Sequence, residues 1–433
     1  MVGFTNRVRQ ALPVVVFESA TSQTCQQVLR QRPIKQQRIA YLPTIDGWRG
    51  VAILLVLCCH LSLPWSWFRA VHGYGRFGVD LFFGISGLLI TYRLISEHEA
   101  SGRISLRHFY ARRGWRILPA AFAYLTIVLL LNVAGVLHVR GVEVLAGAFF
   151  FTNYINPSVP YFWYVGHFWS LSVEEHFYLL WPGLLKLSKP KFGMALSSSL
   201  ALAFAGWRML DSHFHWISAH WLIGNGGRSD YRADALLWGC AAAFALRSAA
   251  IKKMLCRWLP MFWPAIALVS IAGLAAYPSK ASMPLIALIV PTLMAYTLLH
   301  PDRLLGKALE HRVLRWIGRL SYSLYLWQQL FLTNREWLPK PSVLQSFPVN
   351  VVLAFGCAYL SYRFIERPCI ALGNRKTTSG VAVKPTRQVS TELAAAAFRQ
   401  RPSVEIEIGA AGPAEAASRL PSRVPVPVRS AST

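Results

Sequence analysis

Apolar runs of roughly 15–22 residues recur along the chain, separated by short polar segments that are mostly basic. Each run is long enough, or nearly so, to cross a bilayer as a helix. They predict ten membrane helices, over about 45–63, 77–95, 118–137, 169–187, 193–211, 231–247, 258–276, 283–299, 314–333 and 347–366. The connection at about 138–168 holds one more apolar stretch, Val144 to Tyr154, ending in Asn153-Tyr154-Ile155-Asn156-Pro157. It is short for a span and reads as an interfacial or re-entrant helix. No internal repeat is visible.

Composition supports this picture. Of 433 residues, 54% are hydrophobic and only 15% charged, where a soluble globular chain carries about 25% charged residues. An ordinary soluble enzyme, a disordered protein and a secreted disulfide scaffold are excluded. The predicted class is all-α: a polytopic bundle of about ten transmembrane helices. The seven cysteines form no CxxC pair and read as small buried thiols. Residues 1–40 contain one short apolar patch, Leu12 to Phe17, broken by Pro13. That is no cleavable signal sequence, and the segment is expected to be a cytoplasmic N-terminal arm. Residues 41–370 form the membrane domain. From 371 to 433 the chain turns to Ala, Pro, Ser, Arg and Val without periodicity, as a disordered cytoplasmic tail would.

Charge sets the orientation. The net charge is +26, from 45 Lys and Arg against 19 Asp and Glu. A nucleic-acid binder would gather its basic residues on one soluble domain. Here they sit between the apolar runs, so no nucleic-acid partner is expected. Arg7, Arg9, Arg30, Arg32, Lys35 and Arg38 precede the first run, and Arg103, Arg107, Arg112, Arg113 and Arg116 lie between the second and third. Lys186, Lys189 and Lys191 follow the fourth, and Arg247, Lys252, Lys253 and Arg257 follow the sixth. Arg303, Lys307, Arg312 and Arg315 follow the eighth, and Arg367, Arg375 and Lys376 follow the tenth. If the spans alternate, all six segments share one side, while the loop after the seventh carries Lys280 alone. The asymmetry predicts both termini in the cytoplasm and a multi-pass protein of the inner (plasma) membrane.

Ionisable residues inside membrane helices are costly and mark candidate chemistry. Arg49 and His60 lie eleven residues apart on the first span, which is about three turns with a remainder near 20°. They face one way, roughly 16 Å apart along the axis. Arg49 at the cytoplasmic rim suits a phosphate, and His60, deeper, suits a base. Spacing alone equally allows Arg49 to snorkel to lipid and His60 to bond a neighbouring helix. Asp80 opens the second span and suits the orientation of a histidine; Gly84 and Gly87 flank Ser86 and permit close helix approach. Arg112, Arg113 and Arg116 precede Leu118-Pro119. A face of guanidinium groups suits an anionic phosphate-bearing donor, and equally a plain positive-inside anchor.

Adjacent carboxylates, Glu174 and Glu175, enter the fourth span beside His176, pointing about 100° apart, so one is expected to face the interior. Arg232 and Asp234 stand at the mouth of the sixth span, and Tyr322 and Glu366 near the end of the chain's apolar region. No phosphate-binding GxxxxGK[ST] loop, HExxH or GxSxG elbow occurs. His213, His215 and His220 have no ligand partner at a metal spacing, and no metal is expected.

In order along the chain stand Arg49 with His60, GVDLFF with SG (Gly78 to Gly87), the arginine-rich turn, WSLSVEEHFYLLWP (Trp169 to Pro182), RADALLWG (Arg232 to Gly239), SYSLYLW (Ser321 to Trp327) and IERP (Ile365 to Pro368). Together they resemble the membrane acyltransferase-3 family, whose members O-acylate cell-surface glycans. The resemblance implies a ten-helix membrane enzyme that takes an acyl group, usually acetyl from acetyl-CoA, on the cytoplasmic side and delivers it to a hydroxyl outside. It implies that Arg49 and His60 take the family's essential pair and that Arg113 and Arg116 match its Arg-x-x-Arg donor motif. Two positions depart: many relatives have His where this chain has Gln328, and Gln where it has His176. Some relatives carry an added esterase-like domain, and none is expected here.

The expected function is membrane O-acetylation. Its partners would be the lipid bilayer, acyl-CoA and an extracytoplasmic carbohydrate acceptor such as exopolysaccharide, lipopolysaccharide or a secreted oligosaccharide. Catalysis is assigned to His60, Arg49, Asp80, Glu174 and Glu175, the donor to Arg112, Arg113 and Arg116, and substrate contacts to Ser86, Arg232, Asp234, Tyr322 and Glu366. The competing class is a transporter or flippase of a lipid-linked sugar, which would also show intramembrane charge.

Overall fold

The computed structural model describes residues 42–61, 74–155, 162–216, 227–275, 282–332 and 343–378. The expected N-terminal arm, most of the expected tail, Asn156, Pro157, His220 and Lys280 lie outside the described residues. The chain divides into two units, Met1–Gly380 and Val381–Thr433, and all that follows concerns the first.

Among the described residues the protein is helical, with no strand. Long helices cover Pro43–His60 (α1), Gly75–Ser101 (α2) and Leu106–Val133 (α3). After the short α4, Gly141–Ala148, come Phe168–Ser188 (α5), Gly193–Phe214 (α6), Ser229–Arg247 (α7), Ala249–Ala275 (α8) and Ser282–Leu299 (α9). The last are Arg312–Phe331 (α10), Val349–Ser361 (α11), a π-helical turn at Tyr362–Glu366 and Arg367–Thr378 (α12).

Local chemistry fixes several ends. Pro43 opens α1, where its missing N–H costs nothing, and Asp46 in the first turn suits the positive end of the helix dipole. Gly102 closes α2 in the left-handed region at φ 70°, its N–H returning to the His98 carbonyl. Ser105 caps α3 by accepting from the His108 N–H.

That cap corrects one expectation. The arginine-rich stretch is not a loop before the third span, because α3 starts at Leu106 and carries Arg112, Arg113 and Arg116 on its own opening turns. The stretch Val144 to Tyr154 is α4 followed by a 3-10 turn at Thr152–Tyr154. The final helix runs on to Thr378, past the boundary at 370.

Four helices, α2, α3, α8 and α9, are long and apolar enough to cross a membrane. Others fall short because they carry charge inward: Glu174 and Glu175 on α5, and Arg232 and Asp234 on α7. In the most apolar window of α8 only 11% of residues are buried, against 72% for α2. So α2 is central and α8 peripheral. α2 packs against α1 and α7, α1 also against α10, and α12 against α3. The tightest crossings use glycine. A Cβ at Gly87 would run into the Leu236 backbone of α7, and one at Gly239 into the Gly84 carbonyl. The glycines of the second span therefore do bring two helices together.

Candidate active site

Where α1, α2, α3, α5 and α10 converge they enclose a cavity of about 100 Å³. Arg49 enters it from α1, Ser86 and Arg93 from α2, Arg113 and Arg116 from α3, Glu174 from α5, and Tyr322 and Tyr325 from α10. The α2 contribution is one stripe, Phe82, Ile85, Ser86, Leu89, Ile90 and Arg93, at helical spacing. Four guanidinium groups thus share a small space with one lining carboxylate. Arg116 lies within electrostatic reach of Arg49, Arg113 and Arg93.

Glu174 is the carboxylate that turns inward. Its Oε1 accepts from Ser86 at 3.1 Å, its Oε2 from the Tyr178 hydroxyl at 2.5 Å, and Arg113 Nη2 stands 3.7 Å away. The Arg113 guanidinium also lies 3.7 Å over the Tyr178 ring. Arg113 Nε is buried and finds no partner among the described residues. Glu366 sits behind this group, accepting from Ser323 at 2.9 Å and within reach of Arg116 and Arg49. Like charges so close are held at a cost that an anion in the cavity would relieve.

His60 ends α1. Its Nδ1 lies 2.7 Å from Gln328 Oε1, and its ring stands edge-on to Trp163 at 5.2 Å. His60 is not among the residues lining the cavity. The expected single channel holding both Arg49 and His60 is therefore not what the structure shows. Polar contacts nevertheless lead from the cavity wall towards it. Ser170 Oγ and Tyr325 Oη are 2.6 Å apart and both line the cavity; Tyr325 donates to the His167 carbonyl at 3.0 Å. His167 Nδ1 is 2.5 Å from Gln329 Oε1, and His60 lies within electrostatic reach of His167.

A family profile described as "Acyltransferase domain" matches residues 42–363. This chain belongs to that acyltransferase family. Over 357 residues it is 30% identical to the peptidoglycan O-acetyltransferase OatA of Listeria monocytogenes, covering 76% of this chain and 56% of that protein. Over 362 residues it is 30% identical to the O-acetyltransferase OatA of Staphylococcus aureus, covering 76% and 57%. The chain thus spans little more than half the length of these relatives. No solved structure matches it.

The acyltransferase does not gather every expected site residue. Arg49, Ser86, Arg113, Arg116, Glu174 and Tyr322 come together at the cavity. Arg112 points away, to Glu97 at 3.0 Å, and is 40% exposed. Glu175 is not among the lining residues. Asp80 receives Arg232 Nη1 at 2.9 Å, and Asp234 is bound by Arg208 at 2.7 and 2.9 Å. All four are buried, so Arg232 and Asp234 each take a partner on another helix. No group of His, Cys, Asp or Glu that could hold a metal is gathered among the described residues. Sequence reasoning missed Arg93 and the link from His60 to Gln328. Arg93 had a signal, since it follows Ser86 by two turns on the same face.

Proposed function

We propose that this chain is a membrane O-acetyltransferase. It takes an acetyl group from acetyl-CoA on the cytoplasmic side and places it on a carbohydrate hydroxyl outside, across a bundle of ten spans with both termini inside. The observation that carries the reading is the cavity in which Arg49, Arg93, Arg113 and Arg116 converge around Glu174. Such a cluster suits a polyanionic donor. At about 100 Å³ the cavity suits the thioester end of that donor better than its nucleotide, which the basic flanks would hold.

His60 is the base in this reading. With Gln328 Oε1 as acceptor, Nδ1 carries the proton and Nε2 has the lone pair. The acceptor hydroxyl gives its proton to Nε2 as its oxygen attacks the thioester carbon. The C–S bond breaks, the proton passes to the departing CoA thiolate, and an ester remains. The guanidinium groups stabilise the developing oxyanion. Since His60 does not line the cavity, the Ser170–Tyr325 wall parts during transfer. The names of the relatives point to a cell-wall glycan as the acceptor class.

Membranes containing the protein, given acetyl-labelled CoA and cell-wall glycan, should transfer label. Arg113→Ala should raise KM for acetyl-CoA at least tenfold, and His60→Ala should cut kcat by ~10²–10⁴ with the protein still inserted. Glycan movement across the membrane without thioester consumption would overturn the proposal.

A further inference from the structure

A second cluster lies away from the cavity. His176 follows Glu174 by two positions on α5, about 200° around the axis, so the two face opposite sides. His176 Nδ1 lies 2.7 Å from the hydroxyl of Ser229, the first residue of α7. Asn153 Nδ2 donates to the same hydroxyl oxygen at 3.0 Å. With that lone pair taken, the Ser229 proton is directed at the imidazole. The Phe150 backbone carbonyl is a further polar neighbour of the ring. Nucleophile, base and orienting group thus stand in the order that activated serines require.

Three further observations point to an occupant. Thr152 Oγ1 and Asn153 Oδ1 are buried, in residues 1% and 4% exposed, and find no hydrogen-bond partner among the described residues. Buried polar atoms are rarely left so, and such a pair beside a reactive hydroxyl suits a polar ligand. Phe151 and Tyr154 pack their rings on His176, at 5.4 and 5.8 Å, yet are 55% and 37% exposed. They give an apolar wall next to polar groups, the usual makeup of a small-molecule site. Phe150 takes a left-handed backbone, φ 57°, which a bulky residue rarely adopts and which clusters at functional sites. Arg228 is bound to Asp211 and Asp230, pinning the start of α7.

We propose that Ser229 and His176 form a second acyl-transfer site, acting on a short-chain ester of a carbohydrate. His176 takes the hydroxyl proton as Ser229 Oγ attacks the ester carbonyl. The bond to the sugar oxygen breaks, the sugar leaves with that proton, and acyl-Ser229 remains. Water or a second hydroxyl then attacks the acyl carbon by the same route. It gives its proton to His176, and the acyl–Oγ bond breaks as that proton returns to Oγ. This goes beyond the proposed acetyl-CoA reaction and shares no residue with it.

The test treats the full chain, in lipid nanodiscs, with a fluorophosphonate and with p-nitrophenyl acetate. The expected result is one adduct on Ser229 by peptide mass, absent in Ser229→Ala. It should form about a hundredfold more slowly in His176→Gln, a variant that elutes as a monodisperse species. An unmodified Ser229, or an adduct forming equally fast in His176→Gln, overturns the proposal. Neither reagent involves acetyl-CoA. Labelling without acetyl transfer leaves this site standing, and transfer without labelling sinks it alone.

Discussion

Gln328 holds His60 through a single 2.7 Å contact and does not line the arginine cavity. Gln328→Leu removes the acceptor and lets the imidazole turn. In the acetyl-transfer assay kcat should fall by about 10²-fold while KM for acetyl-CoA stays put, and Gln328→His, which keeps an acceptor, should restore part of the rate. Asp80 and Arg232 make the opposite case. Their side chains are 5% and 3% exposed, so removing either strands a charge at a cost of about 3–5 kcal/mol. Asp80→Ala should lower the thermal midpoint of the purified protein, and Asp80→Leu with Arg232→Met should recover much of it. A loss of kcat with unchanged stability would return Asp80 to the chemistry that sequence alone assigned it. The His60–Gln328 contact joins residues 268 apart and Asp80–Arg232 residues 152 apart. No local pattern announces such pairs, so the sequence identified the charged residues without their partners.

At the scale of elements, hydrophobic runs located the helices well because lipid-facing and core-facing residues are both apolar. Their ends were less legible. α3 begins at Leu106 rather than near 118 because its opening turns are arginine-rich, and hydropathy does not register a charged helix end capped by Ser105. Glycine was legible for the converse reason, since only a residue without a side chain permits the approach of α2 to α7. Gly87→Ala would drive a methyl group into the Leu236 backbone, which cannot yield as a flexible side chain can. The folded yield after detergent extraction should drop severalfold. Gly206→Ala and Gly356→Ala, where a Cβ meets nothing within 4 Å, should match the parent.

The whole molecule carries the asymmetry of its charge. Six basic segments fall on one side only if ten helices cross, so the orientation is testable in one experiment. In a background with its cysteines changed to serine, Val136→Cys should react with a membrane-impermeant maleimide on intact cells. Arg103→Cys should react only after the cells are opened. The reverse pattern would place the arginine cavity at the wrong face for a cytoplasmic donor.

The π-helical turn at Tyr362–Glu366 has a consequence for how the gene can vary. A π turn holds one residue more than an α turn, so it sets the phase of everything after it. Removing a single codon there would preserve apolarity, length and charge almost unchanged. It would also swing Glu366 and α12 by about 100° about the axis, away from Ser323 and from the Trp115 side chain against which Gly373 packs. In this stretch, reading-frame-neutral deletions should be purged more strictly than conservative replacements.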